Sequence, residues 1–414
     1  MNKKNYYPSR VKGRTVFQLN RDSELRGQYN ALKEKLSEFF NFLSRNDSIN
    51  KIIRTLTNPV VDERGRHFLQ KHDYTIIRCD IKDFFPSINK HKLYQKLTQL
   101  TSTVPFAVHN LSAPDLKLLR DLLFDSSFDG LPQGFAISSI LSEFYLYEFD
   151  EYIKRIFPNA TYIRYVDDFL IIIPNIVDSK NIQLNIQLEL TKLNLLLSKE
   201  KFDIQFYSRS KDFRFDFLGY SFFSQNSSKI YDSKNKILSL TIAEKKIVKI
   251  KNKIDKYFLH YKKSKHTTSD FYQLYYQIQN IFKGIIIYSP KHSGSVQYIG
   301  IPNSYRYITE IDDIIPLIYV VFYNTRHSAL KKEQKEKIKF LLMPYFLQNK
   351  KMKSNDPDYR LYENFLRNFQ YNYTKSSFKS LKSQIKNVSP NYKFNSELTI
   401  RDFNKILFQK IYRQ

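Results

Sequence analysis

Short apolar runs of strand character alternate along this chain with longer segments whose apolar residues return at helical spacing. Thr75-Ile76-Ile77-Arg78-Cys79 predicts a buried strand that closes on an acid, Asp80. Tyr162-Ile163-Arg164 and Phe169-Leu170-Ile171-Ile172-Ile173 predict two more strands, with Tyr165-Val166-Asp167-Asp168 at the tip of the hairpin between them. Lys90 to about Phe124 reads as helical, and Gly130-Leu131-Pro132-Gln133-Gly134 as a glycine-flanked turn that opens a helix from Phe135 through Leu146. Further helices are predicted through Leu32, Leu36 and Phe39, and from Gln183 to Leu197, the latter ending in Ser198-Lys199-Glu200-Lys201. Phe217-Leu218-Gly219-Tyr220 predicts a second hairpin. From Thr241 a long helix sets Ile247, Ile250, Ile254 and Tyr257 on one side and Lys246, Lys249, Lys253 and Lys256 on another. After about Leu330 the chain is helical and basic, with aromatics at Tyr345, Phe346, Tyr359, Tyr362, Phe365, Phe369, Tyr371 and Tyr373 that suit core packing better than RNA stacking.

Two of these elements bring acids together. Asp80 at a strand end and the Asp167-Asp168 pair on a neighbouring hairpin are three carboxylates drawn from adjacent strands, a donor set that suits a hard divalent cation and phosphoryl transfer. Alone, an Asp pair in a hairpin is an ordinary turn. A second acidic pair, Asp312-Asp313, follows Thr309 and precedes an apolar run, which predicts a capping-box helix start and no metal.

In order, four blocks of the chain resemble the reverse transcriptases. Asp80 to Ile88 is similar to that family's motif A, Leu131-Pro132-Gln133-Gly134 to motif B, Tyr165-Val166-Asp167-Asp168 to motif C, and Phe217-Leu218-Gly219-Tyr220 to the primer grip. Lys12-Gly13-Arg14-Thr15-Val16 looks like the fingers segment of the bacterial members, and the position of Ser198-Lys199-Glu200-Lys201 resembles motif D. Phe84-Phe85-Pro86-Ser87-Ile88, with Ile301-Pro302 and Tyr305-Arg306-Tyr307-Ile308-Thr309, is more like the defence-associated and abortive-infection groups than viral enzymes; the retrons share the first feature.

The resemblance implies an α+β right-hand polymerase: fingers over 1–75, palm over 76–230 with a helical fingers insertion at about 90–124, thumb over 231–330, and a helical basic C-terminal extension over 331–414. It implies that Asp80, Asp167 and Asp168 hold two Mg2+ ions, with Mn2+ as a substitute, for attack of a primer 3′-hydroxyl on a nucleotide. By the same carry-over Arg14 and Lys12 grip the incoming deoxynucleoside triphosphate, Gln133 contacts it or the template strand with Gly134 permitting the approach, Lys201, or Lys199 in its place, meets the departing pyrophosphate, and Phe85 gates the sugar. Tyr165, Phe217, Leu218, Gly219, Lys246, Lys249, Lys253 and Lys256 face primer and template.

Composition narrows the partners. The chain has 67 Lys+Arg against 40 Asp+Glu, a formal charge of +27, so a phosphate backbone is the expected partner even after allowing for a Lys-rich coding bias. With 42% apolar residues it can bury a sizeable core. Cys79 is the one cysteine, which excludes an internal disulfide and a Cys/His zinc array and points to a reducing cytoplasm. The start lacks the apolar core of a signal peptide, and the apolar stretch from Ile314 to Tyr323 contains Pro316 and is too short for a membrane span. The expectation is therefore an RNA-directed DNA polymerase that copies a structured noncoding RNA into DNA, in bacterial anti-phage defence, as a homo-oligomer or with a partner defence protein. The alternatives are a retron-type RNA-primed enzyme, a template-independent or protein-primed DNA polymerase, and a noncatalytic RNA-binding assembly module.

Overall fold

A computed structural model of the 414-residue chain describes residues 6–11, 14–20, 23–40, 48–57, 69, 73–103, 111–175, 177, 179–208, 212–226, 236–288, 296–353, 365, 369–395 and 397–412. They fall into two units, Met1–Thr55 with Lys71–Lys211, and Leu56–Gln70 with Asp212–Gln414.

The first unit opens with β1 (Tyr6–Val11) and β2 (Arg14–Leu19), an antiparallel pair in which Val11 stands opposite Arg14. A helix over Glu24–Phe39 buries Tyr29, Leu32 and Leu36, the face its spacing predicts. The central sheet is antiparallel in the order β4 (Thr161–Tyr165), β5 (Asp168–Pro174), β3 (Tyr74–Asp80), β6 (Asp203–Tyr207). On one face Ile77 and Cys79 of β3 join Phe169, Ile171 and Ile173 of β5 and the inner side of the Ala136–Ile156 helix, with the Phe149 and Phe169 rings 5.5 Å apart. Because the strands are buried so completely, their sequence reads as unbroken apolar runs. The predicted excursion between Lys90 and Phe124 is two helices, Lys90–Thr103 and Ala113–Leu123, the second opened by a Ser112–Asp115 capping box. Phe84 and Phe85 lie in a short helical turn, Phe84–Ser87.

The second unit starts with an antiparallel sheet of β7 (Arg214–Phe217), β8 (Tyr220–Asn226) and β9 (Lys236–Ile242). The Glu244–Lys262 helix follows and buries Ile254 and Tyr257, while Lys246, Lys249, Lys253 and Lys256 stay exposed. After the Thr268–Phe282 helix come β10 (Gly284–Tyr288) and β11 (Val296–Ile299). The chain returns much later as β12 (Gln370–Asn372), parallel to β10, and its last helices, Phe378–Val388 and Ile400–Tyr412, close a core with Tyr276, Ile285 and Ile287. The residues after 331 thus complete this unit. Tyr345 and Tyr373 are fully buried, and the Tyr345 hydroxyl donates to the Phe282 carbonyl at 2.5 Å, so these aromatics serve packing. Tyr359 and Tyr362 lie outside the described residues. No described helix is long and apolar enough to cross a membrane.

One local expectation is corrected. Thr309 does not cap the helix that begins at Ile314; its hydroxyl accepts from the Leu240 N–H at 2.9 Å, and Asp313 accepts from the Thr241 hydroxyl at 2.5 Å without bonding its own helix. The free edge of β9 offers unpaired backbone groups that outweigh a local cap.

Candidate active site

The register between β3 and β5 sets Asp80 directly opposite Asp168. Only Val166 and Asp167 separate β4 from β5, and Val166 takes φ 60, a left-handed conformation that a β-branched residue rarely adopts. The Ile81 N–H donates to the Asp167 carbonyl at 2.9 Å, which locks this turn to the end of β3. On its other side β3 is fastened by Lys82 N–H to Leu196 O and by Ser198 N–H to Asp80 O, both 2.8 Å. That second fastening brings the Lys199–Lys201 turn alongside, and the Lys201 ammonium donates to Asp80 Oδ2 at 2.7 Å.

A cavity of about 440 Å³ opens over these residues, lined among others by Arg14, Asp80, Asp83, Gln133, Asp167 and Lys201. Two glycines make its walls fit. A Cβ on Gly130 would stand 2.2 Å from the Phe85 carbonyl oxygen, and one on Gly134, at φ 104, 2.4 Å from that of Phe17. The turn between them therefore threads against backbone on both sides, and the Phe17 N–H donates to Gln133 O at 2.7 Å, fixing β2 and its first residue, Arg14, over the acids.

Five of the residues read from sequence, Arg14, Asp80, Gln133, Asp167 and Lys201, thus meet at one cavity. Lys12 lies outside the described residues. Gly134 approaches β2 instead of the cavity, and Phe85 is off the lining, half-buried with its ring 5.4 Å from that of Phe84. Tyr165 ends β4 and is 49% exposed.

Asp168 stands apart from the other two acids. Its Oδ1 is 3.7 Å from Arg78 Nε, and both atoms are buried without a hydrogen-bond partner. Burial pushes its pKa up to about 6, with Asp80 and Asp167 adding to the rise and Arg78 opposing it. Asp167 is raised too, by burial first and by Asp80 second, against the pull of Arg14 and Lys201. Among the described residues no three His, Cys, Asp or Glu side chains stand together as a metal-holding group. Asp80 and Asp167, which share the cavity, are the pair of hard oxygen donors that fits a divalent cation, and the repulsion from Asp80 that helps to raise Asp167 favours one.

In the second unit, Phe217 must be moved from the contact residues to the core: it is 1% exposed, inside the β7–β9 sheet. The turn beyond it, Leu218 at φ 50 and Gly219 at φ 88, is what this hairpin presents, with Lys246 Cε 3.2 Å from where a Gly219 Cβ would be. Lys253 is exposed as a residue, but its ammonium turns to the rings of Tyr257, 5.7 Å from the ring centre, and Tyr412, 5.8 Å. Lys246, Lys249 and Lys256 remain exposed.

Sequence reasoning passed over Arg78 and Arg164. Each is an arginine inside an otherwise apolar strand, and that misfit is the signal that a buried acid awaits it.

The family model described as reverse transcriptase (RNA-dependent DNA polymerase) matches residues 23–222, a stretch that includes Asp80, Gln133, Asp167, Asp168 and Lys201. No curated protein matches the chain. Among solved structures it is similar to telomerase from Candida albicans in complex with a fragment of telomeric RNA, at 14% identity and a TM-score of 0.40 over 95% of this chain and 58% of that one. It is also similar to the corresponding Candida tropicalis complex, at 12% identity and a TM-score of 0.39 over 98% and 64%. A truncated apo telomerase from Candida tropicalis matches at 14% identity and a TM-score of 0.38 over 53% and 52%. The chain spans 52–64% of the length of these three telomerases. The fold class is α+β, that of a right-hand polymerase.

Proposed function

We propose, from the reverse transcriptase domain at residues 23–222 and the cavity it builds, that this chain is an RNA-directed DNA polymerase. The observation that carries the reading is the meeting of Asp80 and Asp167 with Arg14, Gln133 and Lys201 around one opening, a set that a binding module has no need to assemble. Divalent cations, Mg2+ or Mn2+ in its place, held by Asp80 and Asp167 with Asp168 adjacent, would supply activation of the primer hydroxyl and charge neutralisation at the leaving pyrophosphate.

The protein groups have separate tasks. Arg14 offers a fixed fork of donors to the triphosphate from the hairpin side. Lys201, which neutralises Asp80 in the structure, is placed to give its charge to the pyrophosphate once Asp80 has another cation. Gln133 is held by its carbonyl, which leaves its side-chain amide for the nucleotide or the template base. Lys246, Lys249 and Lys256 offer a charged helix face to a primer-template backbone, which assigns the second unit the thumb's task. In the finer reading, taken from the motif resemblance, the template is a structured noncoding RNA and the setting is bacterial anti-phage defence.

The test is to purify the protein with its accompanying nucleic acid, sequence that RNA, and supply Mg2+ and labelled deoxynucleotides beside an Asp167→Ala/Asp168→Ala double variant. DNA made only by the unaltered chain and copying one enriched RNA supports the reading in full. DNA that matches no RNA would replace it with untemplated or protein-primed synthesis, and no synthesis would replace it with a binding module.

A further inference from the structure

Arg164 lies on β4 three residues before Asp167, and its side chain is 6% exposed. A guanidinium buried so deeply must have its donors satisfied and its charge balanced. The charge is balanced, and all donors but one prong are met, from a single helix, Ala136–Ile156, the one that follows Gln133 and Gly134. Arg164 Nε donates to Asp150 Oδ1 at 2.8 Å and Nη2 to Asp150 Oδ2 at 2.5 Å, a two-pronged pair, and Nη2 also reaches Glu143 Oε2 at 2.8 Å. Glu143 and Asp150 are two helical turns apart, so one face of the helix supplies both acids. Tyr162 donates its hydroxyl to Asp150 Oδ1 at 2.6 Å and holds the carboxylate in place. The remaining prong, Nη1, donates to the carbonyl of Val166 at 3.0 Å.

That last contact is the informative one. Val166 is the residue held at φ 60, and the next residue is Asp167. We infer that Arg164 is a positioning residue for the candidate active site, a clamp that ties the strained turn carrying Asp167 to the helix that follows Gln133. The inference rests on the proposed polymerase reading. It also accounts for Glu143, buried, and Asp150, half-buried, two acids that take no part in the cavity. Only a planar fork serves four oxygens on the helix and the turn at once, so lysine cannot replace this arginine although it conserves the charge.

Two variants test it, Arg164→Lys and Asp150→Asn, each retaining bulk and breaking the two-pronged pair. Expected for both is a turnover per titrated active site reduced roughly 10- to 100-fold, with the nucleotide KM within about threefold and the burst amplitude unchanged, since a small misplacement of a reacting group acts on the chemical step. The double variant should be no worse than Arg164→Lys alone, because both changes break one clamp. A second readout does not involve activity: amide hydrogen exchange in the peptide spanning residues 161–172 should quicken in both variants while other palm peptides keep their rates. Turnover per active site within twofold of the unaltered chain, a loss carried wholly by burst amplitude, or unchanged exchange over 161–172 would each overturn the clamp. If the unaltered chain incorporates no nucleotide, the polymerase reading fails, and the exchange measurement still decides whether Arg164 holds the turn.

Discussion

Replacing Asp168 with asparagine should make the protein more stable at neutral pH in the absence of divalent cations. The folded chain raises this carboxyl from 3.8 to about 6, so between those values the native state binds a proton that the unfolded state has released. Stability contributed by the protonated form is fully present below about pH 4 and is lost as pH rises through 6. At about 1.4 kcal/mol for each pH unit between the two values, the ionised Asp168 costs the fold at most about 3 kcal/mol near pH 7.5. Asparagine has the shape of the protonated acid without its charge; the pull of Arg78 is already contained in the shift, and the partial exposure of the carboxylate discounts the upper bound, so a net gain of about 1 kcal/mol is expected, visible as a rise in Tm. The assay is thermal unfolding of both proteins in a chelator at about pH 7.5 and pH 4.0. The gain should appear at the higher pH and vanish at the lower. An Asp168→Asn protein that is destabilised equally at both values would refute the argument, because burial of the charge would then not govern this position.

Three other outcomes follow from the geometry. Gly134→Ala places a Cβ 2.4 Å from the Phe17 carbonyl at φ 104, so it should lower stability by about 2 kcal/mol or more and raise the nucleotide KM by loosening Arg14, both visible by calorimetry and steady-state kinetics. Phe85→Ala should relax discrimination against ribonucleotides by roughly tenfold in the ratio of kcat/KM values if its ring gates the sugar; an unchanged ratio would move the gate to Phe84 or Pro86, which do line the cavity. Alanine at Lys246, Lys249 and Lys256 together should reduce the slope of log affinity against log salt for a duplex by about 2 to 3, and an unchanged slope would remove this helix face from the nucleic-acid path.

The parts of the fold legible in sequence are those decided by neighbours in the chain. Strands β3, β4 and β5 show as apolar runs, the Asp167 turn shows in their spacing, and Ile254 and Tyr257 mark the inner side of their helix through a 3.6-residue period. What stayed hidden depends on who arrives across space. Gly134 looks like a residue that admits a ligand until β2 is seen lying on it. Thr309 has the spacing of a cap but meets β9, 69 residues earlier, and Phe217 has the motif of a primer contact but the burial of a core ring. Asp168 shares a motif with Asp167, and only the register opposite Asp80 and beside Arg78 separates their surroundings.

The pairing of β12 with β10 also bears on how the protein is made. All of the first unit has been synthesised once residue 211 is added, so its four-stranded sheet can close as soon as that stretch clears the ribosome, while synthesis continues. The second unit cannot do the same. Its buried Ile285 and Ile287 wait for Leu407 and Ile411, more than a hundred residues later, a delay of roughly 6–25 s at 5–20 residues per second. During that interval a nascent chain would display an open strand edge and an uncovered apolar surface, the state that chaperones bind and that aggregation exploits.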